Sequence, residues 1–171
     1  MKNITNIILD CGHGGIDEMG NYVTAPNKMF QFNDGFTICE GERNRIIGKK
    51  IEKSLKSLPD FNGKFNIEYT VHPDDASDLP LKERTDFVNS FNAEDTICLS
   101  LHNNAGGGNG FECYVYPNSK KSHILGNELT LAHKTLYDKY DLPIRTNKSI
   151  TGNWAKEANY HMTRETICPT V

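Results

Sequence analysis

Long apolar runs are missing from this sequence: nowhere do the roughly 18 consecutive apolar residues needed for a membrane-spanning helix occur. Near the N-terminus only Ile7, Ile8 and Leu9 follow a single Lys2, too little for a secretory signal, so synthesis in the cytoplasm without a signal peptide is expected. Charge of one sign is not in excess either. Against 22 Asp and Glu stand 19 Lys and Arg, a formal net charge of -3. There is no block of like charges and no basic stripe interleaved with aromatics, so neither nucleic acid nor a membrane surface is expected as a partner. The five cysteines are odd in number and never spaced C-x-x-C, which argues against a disulfide framework and for thiols packed as small core residues. Repeats and low-complexity tracts are absent as well. What remains is 171 residues, 37% of them hydrophobic, enough for one soluble domain with its own core.

Apolar runs read as strands at Asn6 to Asp10, Phe65 to Val71, Thr96 to His102 and Phe111 to Tyr116. Helical spacing separates them. Ile47, Ile51, Leu55 and Leu58 form one stripe, stopped by Pro59; Leu81, Arg84, Val88 and Phe91 form a second; Leu125, Leu129, Ala132 and Leu136 a third. Alternation of this kind predicts an α/β fold: a single domain with a twisted, mostly parallel sheet flanked by helices, each stripe facing the core. Two segments do not fit the alternation. Met19 to Ile38 is a long aromatic excursion, of a length that marks a functional or disordered loop, and Leu142 to Ala158 is irregular around the single Trp154.

The stretch "DCGHGGIDE" sets His13 among Gly12, Gly14 and Gly15 just after the first strand, and His102 closes the run "TICLSLH". Two imidazoles therefore emerge at the carboxyl ends of two strands, the edge where open α/β sheets bind ligands. With Glu40, at the entrance to the first helix, they make a two-histidine, one-carboxylate set suited to catalytic zinc with a fourth position open to water. The glycines are expected to leave room for metal and substrate beside His13. A phosphate cradle is the weaker reading, since Asp17 stands where G-x-G-x-x-G needs glycine and no G-K-[ST] follows. Cys11, beside His13, is the alternative ligand or nucleophile, but no second cysteine is spaced to support it. The other histidines, His72, His123, His133 and His161, have no such company and read as ordinary solvated or packed side chains.

Four ordered motifs, "ILDCGHGGID", "EGERNR", "LPLKERTDFVNSFNAEDTICLSLHNNA" and "GFECYVYP", resemble the zinc-dependent N-acetylmuramoyl-L-alanine amidases of the amidase-3 family. The excursion from Tyr22 to Phe36 is similar to their phage endolysin-like branch. The resemblance covers nearly the whole chain and implies that residues 1–171 form an amidase-3-like catalytic domain. By position it makes His13, Glu40 and His102 the zinc ligands, with Glu42 the rival of Glu40. Arg84 and Asn89 match supporting residues of the helix before the second histidine. Asn103 and Asn104 follow that histidine as candidate substrate contacts. Asp10 and Asp17 are alternative partners that would orient His13 through its second nitrogen.

The implied chemistry is metal-assisted hydrolysis of the amide joining N-acetylmuramic acid to L-alanine, with peptidoglycan as partner, after release from the cytoplasm to the wall. The sequence departs from the family at its end. The family's proton-transferring glutamate lies on a final strand after a segment similar to "ICPTV", which would place it past Val171; Glu165 is off the motif. The expectation is a truncated or naturally shortened chain lacking the last strand and helix. It would have no catalytic acid or base of its own, hydrolyse poorly, and tend to associate through an unpaired sheet edge. A zinc-containing wall-binding module without activity is the alternative reading, and hydrolysis of some other amide a third.

Overall fold

The computed structural model describes residues 4–24, 28–61, 63–104 and 109–171. Three parallel strands form the central sheet: β1 (Asn6–Cys11) lies in the middle, between β4 (Asn66–Tyr69) and β5 (Thr96–Leu101). The hairpin strands β2 (Met29–Gln31) and β3 (Thr37–Cys39) pair antiparallel and lead without a break into α1 (Glu40–Lys56). The excursion expected as a functional or disordered loop is thus, in its second half, a short hairpin, reversed at Gly35 with φ 89°. Its own bonds hold it: Phe32 N–H donates to Phe36 and Gly35 N–H to Phe32. Beyond β5, residues 169–171 run parallel to that strand, with Cys98 N–H donating to Pro169 and Ser100 N–H to Val171. Pairing along the β5 edge is therefore already present within the chain.

β1 is buried on both faces, which is why its sequence is nearly all apolar. Ile8 faces α2 (Leu81–Asn89) and α5 (His161–Glu165) in a cluster with Val88, Cys98, Met162 and Cys168. On the opposite face α1 crosses close to Cys11, so close that a β-carbon at Gly48 would lie 2.7 Å from its sulfur. The α1 stripe is accordingly not the one expected. Its buried residues are Gly41, Asn44, Arg45 and Gly48, while Ile47 and Leu58 are exposed. The helix approaches by small residues and by polar side chains that find backbone partners, so its contact face is not its most apolar one. In α3 (Lys120–Lys139) the expected stripe holds at Leu125, which is buried, but not at Ala132 and Leu136, which are exposed; Ser122, Gly126 and Thr130 complete the buried face. That helix covers a second small core of Cys113, Val115 and Ala155, where β6 (Tyr114–Val115) pairs parallel with β7 (Lys156–Glu157). The irregular segment around Trp154 supplies β7, preceded by the one-turn α4 (Lys148–Thr151).

The five cysteines are unbridged, and all but Cys39 are buried. Among the described residues no helix is long and apolar enough to cross a membrane.

Beneath the sheet's carboxyl edge, Asp10 is fully buried and held by both prongs of Arg84, Nε to Oδ1 at 2.8 Å and Nη2 to Oδ2 at 2.5 Å. Thr70 and Ser100 donate to the same carboxylate from β4's end and from β5. Burial by itself would raise the Asp10 pKa, but the bonds and charge of Arg84, with Ser100 and Thr70, bring it below the ordinary carboxylate value. Because the folded pKa is the lower one, this stabilisation is complete above about pH 4 and is lost as pH falls through the folded value. We expect Arg84→Met to cost about 3–5 kcal/mol in urea unfolding at pH 7, the penalty of a buried charge left without its partner. Asp10→Asn should lose less stability than the parent protein between pH 7 and pH 3; equal losses would contradict the assignment.

Candidate metal centre

His13 follows the end of β1 by two residues and His102 follows β5 by one, so adjacent parallel strands deliver both rings to the same edge. Glu40 arrives from the side as the first residue of α1. One ligand atom from each of the three side chains lies within 4.8 Å of the others. Glu40 Oε1 is 2.9 Å from His102 Nδ1 and 3.5 Å from His13 Nε2, and the two rings meet edge to face at 5.0 Å between centroids. Glu42 is not part of this group.

The backbone around His13 is shaped by α1. His13 has φ 67°, a left-handed conformation that a non-glycine residue adopts only when its surroundings impose it. Asn44 Nδ2 donates to the Gly12 carbonyl at 2.8 Å and Arg45 Nη1 to the His13 carbonyl at 2.6 Å, fixing the peptide units on either side of the histidine. Arg45 also donates to the carbonyls of Asp75 and Ser77, tying the loop after β4 to the same place. The expectation that the glycines leave space for a metal and substrate is corrected by the packing. A β-carbon at Gly12 would fall on the His102 ring, and one at Gly14 on the Val23 carbonyl. These glycines make room for the protein's own groups.

Electrostatically the centre is built around Glu40. Burial raises its carboxyl pKa, but the hydrogen bond with His102 and the proximity of His13 outweigh that, leaving it well below the usual carboxylate range. It is therefore an anion facing two imidazoles. His13 Nε2 is buried with no hydrogen-bond partner among the described residues. A buried imidazole nitrogen without a hydrogen-bond partner is costly unless a ligand fills the space before it. Two imidazoles and a carboxylate converging there fit a divalent cation of the zinc type. Cys11 lies outside the three-residue cluster, packed beneath α1 against Gly48, and burial pushes its thiol up to about 12.

The remaining expected residues are distributed as follows. Asn103 N–H donates to Glu40 Oε1 at 3.2 Å, and its side-chain amide donates to Asn44 Oδ1 at 2.6 Å, so it ties the loop after His102 to the first turns of α1. Asn104 turns the other way and donates to Glu112. Arg84 is engaged with Asp10 below the edge, and Asn89 pins the C-terminal segment by accepting from Ile167 N–H and donating to the Glu165 carbonyl. Neither lies in the three-residue cluster. Nor do the two aspartates orient His13: Asp10 is saturated by Arg84, Thr70 and Ser100, and Asp17 closes a turn onto Met19 and Asn21. Sequence reasoning missed Arg45 and Asn44 as organisers of the His13 loop. Their place in "EGERNR", at helical spacing from Gly41 and Gly48, was the available signal.

Architecture and centre together define a class: single α/β domains that gather two histidines and an acid at the carboxyl edge of parallel strands, in an arrangement that could hold a metal ion. Residues 7–171 match the Amidase_3 family model, described as N-acetylmuramoyl-L-alanine amidase, and the chain belongs to that family. It is 26% identical over 168 residues to the N-acetylmuramoyl-L-alanine amidase CwlM of Bacillus licheniformis, covering 98% of this chain and 54% of that protein. A 93-residue stretch, 54% of this chain, is 31% identical to the sporulation-specific N-acetylmuramoyl-L-alanine amidase of Bacillus subtilis (strain 168), covering 32% of it. The chain thus spans about half the length of the first relative and about a third of the second. Its fold is similar to a solved N-acetylmuramoyl-L-alanine amidase from Clostridium difficile 630, with TM-score 0.69 and 20% identity over 99% of this chain and 77% of that one. The catalytic domain of CwlV from Paenibacillus polymyxa gives 0.64 and 24%, over 98% and 77%.

Two variants test the centre by metal titration. Glu40→Ala should weaken zinc binding by more than about tenfold and Glu42→Ala should leave it unchanged; the reverse pattern would move the carboxylate ligand to Glu42. Gly12→Ala should displace the His102 ring and weaken zinc to a similar degree while the far-ultraviolet spectrum stays native.

Proposed function

We propose that residues 1–171 are the catalytic domain of a zinc-dependent amidase that hydrolyses the bond between N-acetylmuramic acid and L-alanine in peptidoglycan. The observation that carries this reading is the convergence of His13, Glu40 and His102, each at the position its motif resemblance assigns, inside a chain that matches the family from residue 7 to 171. The reading includes action at the wall after release from the producing cell, as the resemblance of Tyr22 to Phe36 to the endolysin-like branch implies.

A zinc ion held by the three side chains would polarise the scissile carbonyl and lower the pKa of bound water to about 7. The chain's own residues prepare that chemistry. Glu40, kept anionic and braced by the Asn103 N–H, presents one oxygen between the two rings. Asn44 links the Gly12 carbonyl to the Asn103 amide, so both ligand loops share one anchor on α1. His102, its side chain 38% exposed, keeps the centre open to solvent, as access by an extended glycopeptide requires. No residue of 1–171 is given the proton-transfer role.

The test is product analysis on purified cell walls with the natural protein containing residues 1–171. Zinc-loaded protein should release stem peptides with a free N-terminal alanine, identified by mass spectrometry. Chelator or His102→Ala should reduce release to the rate without protein. Cleavage within the glycan or within the peptide would overturn the reading, as would retention on the wall with no cleavage at all.

A further inference from the structure

Beside the metal centre lies a second polar cluster that the ligand set does not use. Glu112, two residues before β6, is 8% exposed at its side chain yet meets two cations: Lys156 Nζ at 3.0 Å and Arg145 Nη1 at 3.3 Å. Asn104 donates to the same carboxylate at 2.5 Å, and the Tyr114 hydroxyl does so at 3.1 Å. The cluster is therefore joined to the loop that carries His102, two residues from the ring itself.

The two cations are not equivalent. Lys156 is largely covered, with its side chain 19% exposed, and its ammonium also bonds the Tyr114 hydroxyl at 2.9 Å. These bonds to Tyr114 and Glu112 outweigh burial and keep Lys156 firmly charged. One covered ammonium thus neutralises the one covered carboxylate. Arg145 is then in excess: its bond to Glu112 is the longer, its side chain is 41% exposed, and among the described residues it makes no other side-chain bond. Its backbone is fixed all the same, because Arg145 N–H donates to the Phe111 carbonyl at 2.8 Å and Phe111 N–H to the Pro143 carbonyl at 3.1 Å. A positioned guanidinium with unspent donors and an uncompensated charge, on rigid backbone beside a hydrolytic centre, is built to take a carboxylate.

The geometry points to Arg145 as a specificity residue that binds a carboxylate of the substrate's peptide, with Glu112 and Lys156 as positioning residues. This rests on the amidase reading for the substrate class, a peptide carrying free carboxylates attached to muramic acid. The Tyr114 ring, edge to face with Tyr160 at 5.1 Å, closes the far side of the cluster and keeps Lys156 turned inward.

The probe is a soluble muramoyl peptide in two forms, one with free carboxylates and one with those carboxylates converted to carboxamides. Binding is measured by calorimetry on metal-stripped protein, and hydrolysis separately on zinc-loaded protein. The parent protein should bind the acid about tenfold or more tightly than the amide. Arg145→Gln should bring the acid down to the level of the amide and leave amide binding, thermal midpoint and zinc affinity unchanged, while Arg145→Lys should retain part of the preference. Equal binding of both forms by the parent, equal loss of both in Arg145→Gln, or no binding of either form overturns the subsite. Failure of the amidase reading looks different: the acid preference persists in binding while zinc-loaded protein releases no alanine-terminated peptide from either form.

Discussion

Glu40 can reach both imidazoles only because α1 starts against the backbone of the His13 loop. A β-carbon at Gly41 would run into the Gly14 carbonyl, so the first turn of the helix and the loop touch main chain to main chain. The hairpin delivers Glu40 as the first helical residue, at the end where peptide dipoles favour an acid. The convergence of the three side chains is thus a consequence of close backbone packing before it is a matter of residue type.

The same contact explains why so many polar groups lie buried under the site. Asn44 and Arg45 point from α1 into the loops and satisfy carbonyls that would otherwise be left unbonded. One layer lower, Asp10 and Arg84 lock the end of β1 to α2, and Thr70 and Ser100 draw the neighbouring strands to the same carboxylate. The left-handed conformation of His13 is held between these two layers. Rigid support of this kind lets three side chains from distant parts of the chain share one point with little freedom to separate.

The strands that precede the histidines were legible by their apolar runs; in β1 burial and hydrophobicity coincide over Ile7, Ile8 and Leu9, whereas in β5 only Thr96 and Cys98 are buried and the apolar Ile97, Leu99 and Leu101 are half-buried. The convergence of His13, Glu40 and His102 was legible because the chemistry a metal asks for constrains residue type more tightly than packing does. α1 was legible as a helix but not in orientation: its inward face is glycine, asparagine and arginine, whose burial depends on partners that no hydropathy pattern contains. The hairpin from Met29 to Cys39 is short and outward-facing, with Phe30 61% exposed, so its strands lack the inward apolar residues by which strands are found. The cluster of Glu112, Arg145 and Lys156 was invisible for another reason. Its members are separated along the chain and meet only because residues 142–145 lie beside Phe111 and β7 pairs with β6.

The central claim concerns which atoms hold the ion, and X-ray absorption at the zinc edge reads those atoms directly. The account predicts a single bound zinc with only nitrogen and oxygen neighbours, at about 2.0–2.2 Å, including the outer-ring scattering of two imidazoles. A sulfur neighbour at about 2.3 Å, implicating Cys11 or Cys39, or a spectrum unchanged in a His13→Ala, His102→Ala double variant, would contradict it.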